Sequence, residues 1–169
     1  MTNFGKQMFT WMKDLFPVCR SLTGDGVDET LSYLKNKIGI KINILKFKTG
    51  QKVFDWTIPE VWNIKDGYIK TLSGKKIVNF KDNNLHVVGY STAINKIILR
   101  KDLLKHIYTQ TNQPKLIPYV TSYYKKNWGF CVSENFKKKI KNKKYRVYID
   151  STHKSCLLYT SPSPRDGLL

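Results

Sequence analysis

Long apolar runs, cysteine, arginine and acidic side chains are all scarce in this chain, and each shortage excludes something. No stretch approaches the roughly 18 uninterrupted apolar residues of a membrane-spanning helix. Lys6, Lys13, Asp14 and Arg20 interrupt the N-terminal region, so it lacks the apolar segment of a secretory signal. The expectation is a cytoplasmic protein with no membrane partner. Of the three cysteines, Cys19 and Cys131 stand far apart without a CxxC spacing, which supports neither a zinc ribbon nor a disulfide scaffold. Lys and Arg total 30 against 12 Asp and Glu, for a net charge of +18. Only four of the basic residues are Arg, the side chain favoured for bidentate phosphate and guanine contacts. The Lys excess comes with abundant Asn and Ile, the mixture that AT-rich coding produces. Nucleic acid is therefore not the favoured partner.

What is present suits a folded domain. The chain has 169 residues, 41% hydrophobic and 13% aromatic, too rich in core-forming side chains for disorder and long enough for one domain, or one plus part of another. Met8, Phe9, Met12, Leu15 and Phe16 recur at helical spacing from Phe4 to Phe16, and Pro17 ends that helix. The polar loop Arg20–Gly26 follows, with Asp25 expected to cap a second helix, Val27–Ile38, that Gly39 stops. Its TGDG string can also be read as an anion-binding turn, although the simple helix entry is favoured. The period then changes to two over Ile40–Lys48, a half-buried strand. Strands are expected at Val53–Ile58, Tyr68–Leu72, Lys76–Phe80, Leu85–Tyr90 and Lys96–Leu99, with a helix over Arg100–Tyr108. After Pro114 and Pro118 comes an aromatic block, PYVTSYYKKNWGFCV. A basic helix over Glu134–Lys141 and a strand over Tyr145–Ile149 complete the pattern, with Val147 and Ile149 on one strand face and Tyr148 on the other.

The last segment reads differently. Cys156–Asp166, CLLYTSPSPRD, resembles the translation of a transposase adapter used in sequencing libraries. Cys156–Leu169 is accordingly expected to be a non-native tail on a truncated gene, without a place in the fold.

Five strings carry a family resemblance: LFPVCRSLTGDGVDETLSYL (15–34), KVFDWTIPEVWNI (52–64), NLHVVGYS (84–91), IPYVTSYYKKNWGFCVS (117–133) and YRVYIDST (145–152). In this order they resemble the N-terminal part of bacterial zinc aminopeptidase-like proteins, in the branch where a β-rich domain of unassigned role interrupts the peptidase lobe. The resemblance implies an α+β chain: two helices and a strand pair from an α/β lobe, interrupted by an antiparallel β-rich insert. Residues 1–48 and 145–155 would form the partial lobe and 49–144 the insert. Ile40–Lys48 and Tyr145–Ile149 would then pair across the insertion.

The resemblance also implies a hydrolase acting on a peptide or aminoacyl-type small substrate, with zinc in the intact parent. In that family the metal ligands and the catalytic base follow the strand that ends near Thr152, so this chain is expected to bind no cofactor and to be inactive. No catalytic or metal-binding residue is assigned. His86, His106 and His153 stand apart, without the converging set that zinc needs. Candidate substrate-proximal residues are Arg20, Thr23 and Asp25 in the polar loop and Tyr123, Tyr124 and Trp128 in the aromatic block. For that block, lining a pocket and gluing the insert to the lobe are equally good readings. A β-rich module binding a ligand or partner is the alternative function, followed by a basic nucleic-acid binder.

Overall fold

The computed structural model describes residues 4–39, 43–155 and 157–160. The chain is α+β and divides into two compact units, Met1–Val61 with Ser155–Leu169, and Trp62–Lys154.

In the first unit, helix α1 spans Phe4–Leu15 and helix α2 spans Asp25–Ile38. Leu15 is buried, whereas Phe4, Met8, Phe9, Met12 and Phe16 are exposed. The expected cap is corrected: Asp25 is already helical, and Gly24 holds the N-cap with φ 102°. A negative side chain in the first turn still favours the helix, because it faces the positive end of the dipole. Gly26 brings α2 against the preceding loop, since a Cβ there would lie 2.1 Å from the Cys19 carbonyl oxygen. Gly39 ends the helix in the left-handed conformation, as its position suggests.

Strand β1, Leu45–Lys48, follows, while Ile40–Ile42 of the expected strand lies outside the described residues. β2 (Lys52–Val53) and β3 (Trp56–Thr57) form a minimal hairpin where one strand was expected. Phe54, in the turn, takes a φ of 55°, which no strand residue adopts.

The second unit is built on a four-stranded sheet ordered β5-β4-β9-β6. These are β4 (Val61–Thr71), β5 (Lys76–Asn79), β6 (Ile94–Leu99) and β9 (Lys144–Lys154). Along β9, Tyr145, Val147, Ile149 and Ser151 are buried and the intervening residues are not, the alternation that a half-buried strand requires. Its outer face carries Tyr148, stacked on Tyr68 of β4 at 5.0 Å between ring centroids, with the Lys76 ammonium 4.3 Å from the Tyr68 ring. The inner face packs into a cluster with Ile69, Val78, Leu103, Phe130, Val132 and Ile140.

Two strand pairings differ from the expectation. Tyr145–Ile149 pairs antiparallel with β6, Ile98 opposite Tyr145 and Ile94 opposite Ile149, and not with the strand that ends at Lys48. Instead β1 pairs antiparallel with β10, Leu157–Thr160, with Leu45 opposite Thr160. The tail expected to lie outside the fold thus supplies a strand. Backbone pairing needs only an extended partner, whatever the origin of its side chains. Cys156 and residues 161–169 lie outside the described residues.

Short elements surround the sheet. The helix expected over Arg100–Tyr108 becomes one turn, α3 (Arg100–Leu103), a 3-10 turn, and β7 (Ile107–Tyr108). β7 lies parallel to β8, Phe130–Cys131. The basic helix is also short: α4 covers Glu134–Lys137, capped by Ser133, whose Oγ accepts from the Phe136 N–H at 3.2 Å. Leu85–Tyr90, expected as a strand, starts in the 3-10 turn Asn84–His86 and then contributes isolated bridges, Val87 to Phe130 and Gly89 to Thr121. Tyr90 takes a φ of 64°, and that left-handed residue ends any extended run.

Candidate functional site: an aromatic cleft

Within the Trp62–Lys154 unit, the segments 87–92 and 119–130 are stitched together by their backbones. The Val88 N–H donates to the Gly129 carbonyl at 3.0 Å, the Gly89 N–H to Val120 at 2.8 Å, and the Thr92 N–H to Asn127 at 2.8 Å. In return the Ser122 N–H donates to the Gly89 carbonyl at 2.9 Å. Gly129 lets the Tyr108 ring pack against this segment, since a Cβ there would lie 2.6 Å from it.

Ser91, fully buried, is the polar hub beneath. Its hydroxyl donates to the Val88 carbonyl at 2.6 Å and accepts the Gly129 N–H at 3.2 Å. Its own carbonyl accepts from Trp62 Nε1 at 2.9 Å and from the Ser151 hydroxyl at 2.7 Å. These bonds hold Tyr90 in its left-handed conformation, with its ring stacked on Trp62 at 5.8 Å. Non-glycine residues persist in that region only where their surroundings over-determine them, and such residues cluster at functional sites.

Above this base opens a cleft of about 430 Å³, within the roughly 300–1,000 Å³ of small-molecule sites. Val88 and Val120 give it an apolar floor, and Tyr108, Tyr123 and Tyr124 give it aromatic walls. Thr121, Ser122, Lys125 and Asn127 supply its polar groups. Tyr123 meets the edge of Tyr90 at 5.8 Å and lies 4.2 Å from the Tyr124 ring, tilted by 50°. Asn127 Nδ2 donates to the Tyr108 hydroxyl at 2.9 Å, bracing one wall.

Of the sequence-selected residues, the structure brings Tyr123 and Tyr124 together on this cleft. Trp128 does not line it: the indole stacks on His106 at 3.8 Å and meets Phe130 edge-on at 6.4 Å, packing the base instead. Arg20, Thr23 and Asp25 belong to the other unit, where Arg20 and Asp25 are exposed and Thr23 is buried. Sequence reasoning missed Tyr90 and Ser91, whose only signal was an apolar run broken by GYS. It also missed Tyr108, which sat inside an expected helix.

Each histidine turns a ring nitrogen to a backbone carbonyl. His86 Nδ1 lies 2.8 Å from the Cys131 oxygen, His106 Nδ1 2.9 Å from that of Trp128, and His153 Nε2 3.3 Å from that of Tyr90. A carbonyl only accepts, so those nitrogens carry the proton and are not available to a metal. Among the described residues no three His, Cys, Asp or Glu side chains come together as a metal site. Burial pushes the Cys131 thiol up to about 12, which removes its nucleophilic thiolate at neutral pH. No helix among the described residues is long and apolar enough to cross a membrane.

Comparison with known proteins follows the same division. Residues 61–152, more than half of the chain, match the family described as "Domain of unknown function (DUF2172)". A Clostridium acetobutylicum protein provisionally named as a polysaccharide biosynthesis protein with aminopeptidase-like domain is 41% identical over 148 residues, 88% of this chain. The chain spans 34% of that relative's length. A crystal structure of a provisionally assigned peptidase from the same organism superposes with a TM-score of 0.86 at 40% identity, over 92% of this chain and 36% of that one.

Proposed function

The chain belongs to the DUF2172 family, and from that premise we propose that it forms part of a zinc-dependent aminopeptidase-like hydrolase in which the Trp62–Lys154 unit is a ligand-recognition module. The names of its relatives support a peptidase-like parent. The observation that carries the recognition role is the cleft itself: convergent aromatic and polar groups on a braced base, with no cluster of metal-ligating side chains among the described residues. Such a site can hold and orient a ligand. Zinc, when bound by such a hydrolase, supplies an activated water for attack on an amide. In this proposal that role falls to residues other than those described, and the reaction acts on a peptide or aminoacyl-type bond. The free cysteines Cys19 and Cys131 support a reducing, cytoplasmic setting for the parent.

The test is metal content and turnover on two proteins side by side. The full-length gene product is expected to carry zinc and to release amino acids from aminoacyl substrates, losing both on chelation. The 169-residue chain is expected to take up no stoichiometric zinc. Chelator-resistant turnover by the full-length protein would refute the zinc assignment. So would one-to-one zinc uptake by the shorter chain that disappears in His153→Ala.

A further inference from the structure

The cleft carries more information than its existence, because its polar groups are already partly committed. Ser122 lines the cleft and its hydroxyl donates to the Gly89 carbonyl at 3.3 Å, so what it keeps for a ligand is acceptor capacity. Asn127 spends one N–H on Tyr108, keeping its Oδ1 as an acceptor and a second N–H as a donor. The Tyr108 oxygen accepts that bond, which leaves its own O–H to donate. Among the described residues, Lys125 is the sole basic side chain lining the cleft, and no carboxylate lines it.

This set selects among ligands. An α-ammonium group would meet a lysine and no anionic partner, so the free amine of an aminopeptidase substrate has no home here. A flat aromatic ligand prefers parallel rings on either side, whereas Tyr123 and Tyr124 are tilted by 50° and form a corner. A puckered ring with apolar C–H faces and several hydroxyls fits both the corner and the mixed acceptors and donors. A carboxylate on that ring would complement Lys125.

We propose that the cleft binds a carboxylated pyranose, of the uronic acid type, as a free sugar or as the end of a glycan. The ring packs its C–H face on Tyr123 and Tyr124, its hydroxyls bond to Ser122 and Asn127, and its carboxylate pairs with Lys125. This rests on the recognition role of the unit and not on the peptidase reading, so it is measured as binding by this chain.

Calorimetric titration of the 169-residue chain with glucuronate and galacturonate, their oligomers, glucose and an acetylated dipeptide tests it. The acidic sugars are expected to bind, monomers and oligomers separating the two sources, and glucose to bind at least about tenfold more weakly. Tyr124→Ala removes an exposed ring and is expected to cost about tenfold in affinity with the melting temperature unchanged. Lys125→Gln is expected to abolish the preference for the acid over glucose. Equal affinity for glucose, or binding indifferent to Tyr124→Ala, would overturn the proposal, as would no binding of either uronate. Dipeptide binding that depends on Tyr124 would overturn it while leaving the recognition role standing. Were nothing bound, and turnover by the full-length protein indifferent to Tyr124→Ala, the recognition role would fall as well.

Discussion

At the scale of single residues, contacts that a sequence does not display decide what can be changed. Gly26 is an ordinary helix residue by its neighbours, yet the carbonyl of Cys19 occupies the space where a side chain would begin. Gly26→Ala must push that loop away, and overpacking of this kind costs about 1–3 kcal/mol. A lowered urea midpoint for Gly26→Ala, with no such loss for alanine at exposed Glu29, is the expected result. Cys131 gives a second case. Its thiol is held at about 12 against an ordinary 9.0 by burial. Between those values the unfolded chain releases its proton and the folded chain does not, so the unfolded state gains. The stability that Cys131 contributes is therefore complete below about pH 9 and lost as pH rises toward about 12. Unfolding free energies measured from pH 8 to 11 should fall less steeply for Cys131→Ala than for the natural chain. Parallel slopes would show that the thiol titrates alike in both states.

At the scale of elements, what was legible is what depends on local pattern. The alternation Val147, Tyr148, Ile149 announced β9, and the structure buries the odd-numbered residues and turns Tyr148 outward onto Tyr68. Pro17 and Gly39 bracketed the two helices for the same reason. Pairing partners were not legible, because period two names a face and not a neighbour. Thus Tyr145–Ile149 was assigned to the strand ending at Lys48, and the structure gives it to β6. In the site, aromatic spacing alone brought out Tyr123 and Tyr124. Tyr90 escaped because a left-handed backbone follows from the bonds around Ser91, which join segments distant in sequence. The face assignment yields a direct measurement. Ile149→Ala empties a fully packed position and is expected to cost about 2–5 kcal/mol, whereas Ile97→Ala on edge strand β6, 56% exposed, should stay within about 0.5 kcal/mol.

At the scale of the whole molecule, the two units differ in how they protect themselves. The cluster from Ile69 to Ile149 and the hydrogen-bonded base around Ser91 lie wholly within Trp62–Lys154. In the first unit, α1 presents Phe4, Met8, Phe9 and Met12 to solvent, Phe16 just beyond it is exposed as well, and β1 and β10 make a sheet of two strands. A two-stranded sheet is marginal in water without further support. Local opening scales with such differences in buried apolar contact. Limited proteolysis followed by mass spectrometry should therefore trim the chain from both ends and leave a resistant product near Trp62–Lys154. That product should keep the circular dichroism of the sheet and, since every described residue lining the cleft lies within it, the ligand affinity of the intact chain. The exposed face of α1 makes a linked prediction, because contiguous apolar surface promotes association. Replacing Phe9 and Met12 by Gln should reduce aggregation of the 169-residue chain without changing the resistant product. A resistant product that retained Phe4–Ile38 and lost Trp62–Lys154 would reverse the assignment of stability, and with it the reason for placing the binding site on the second unit.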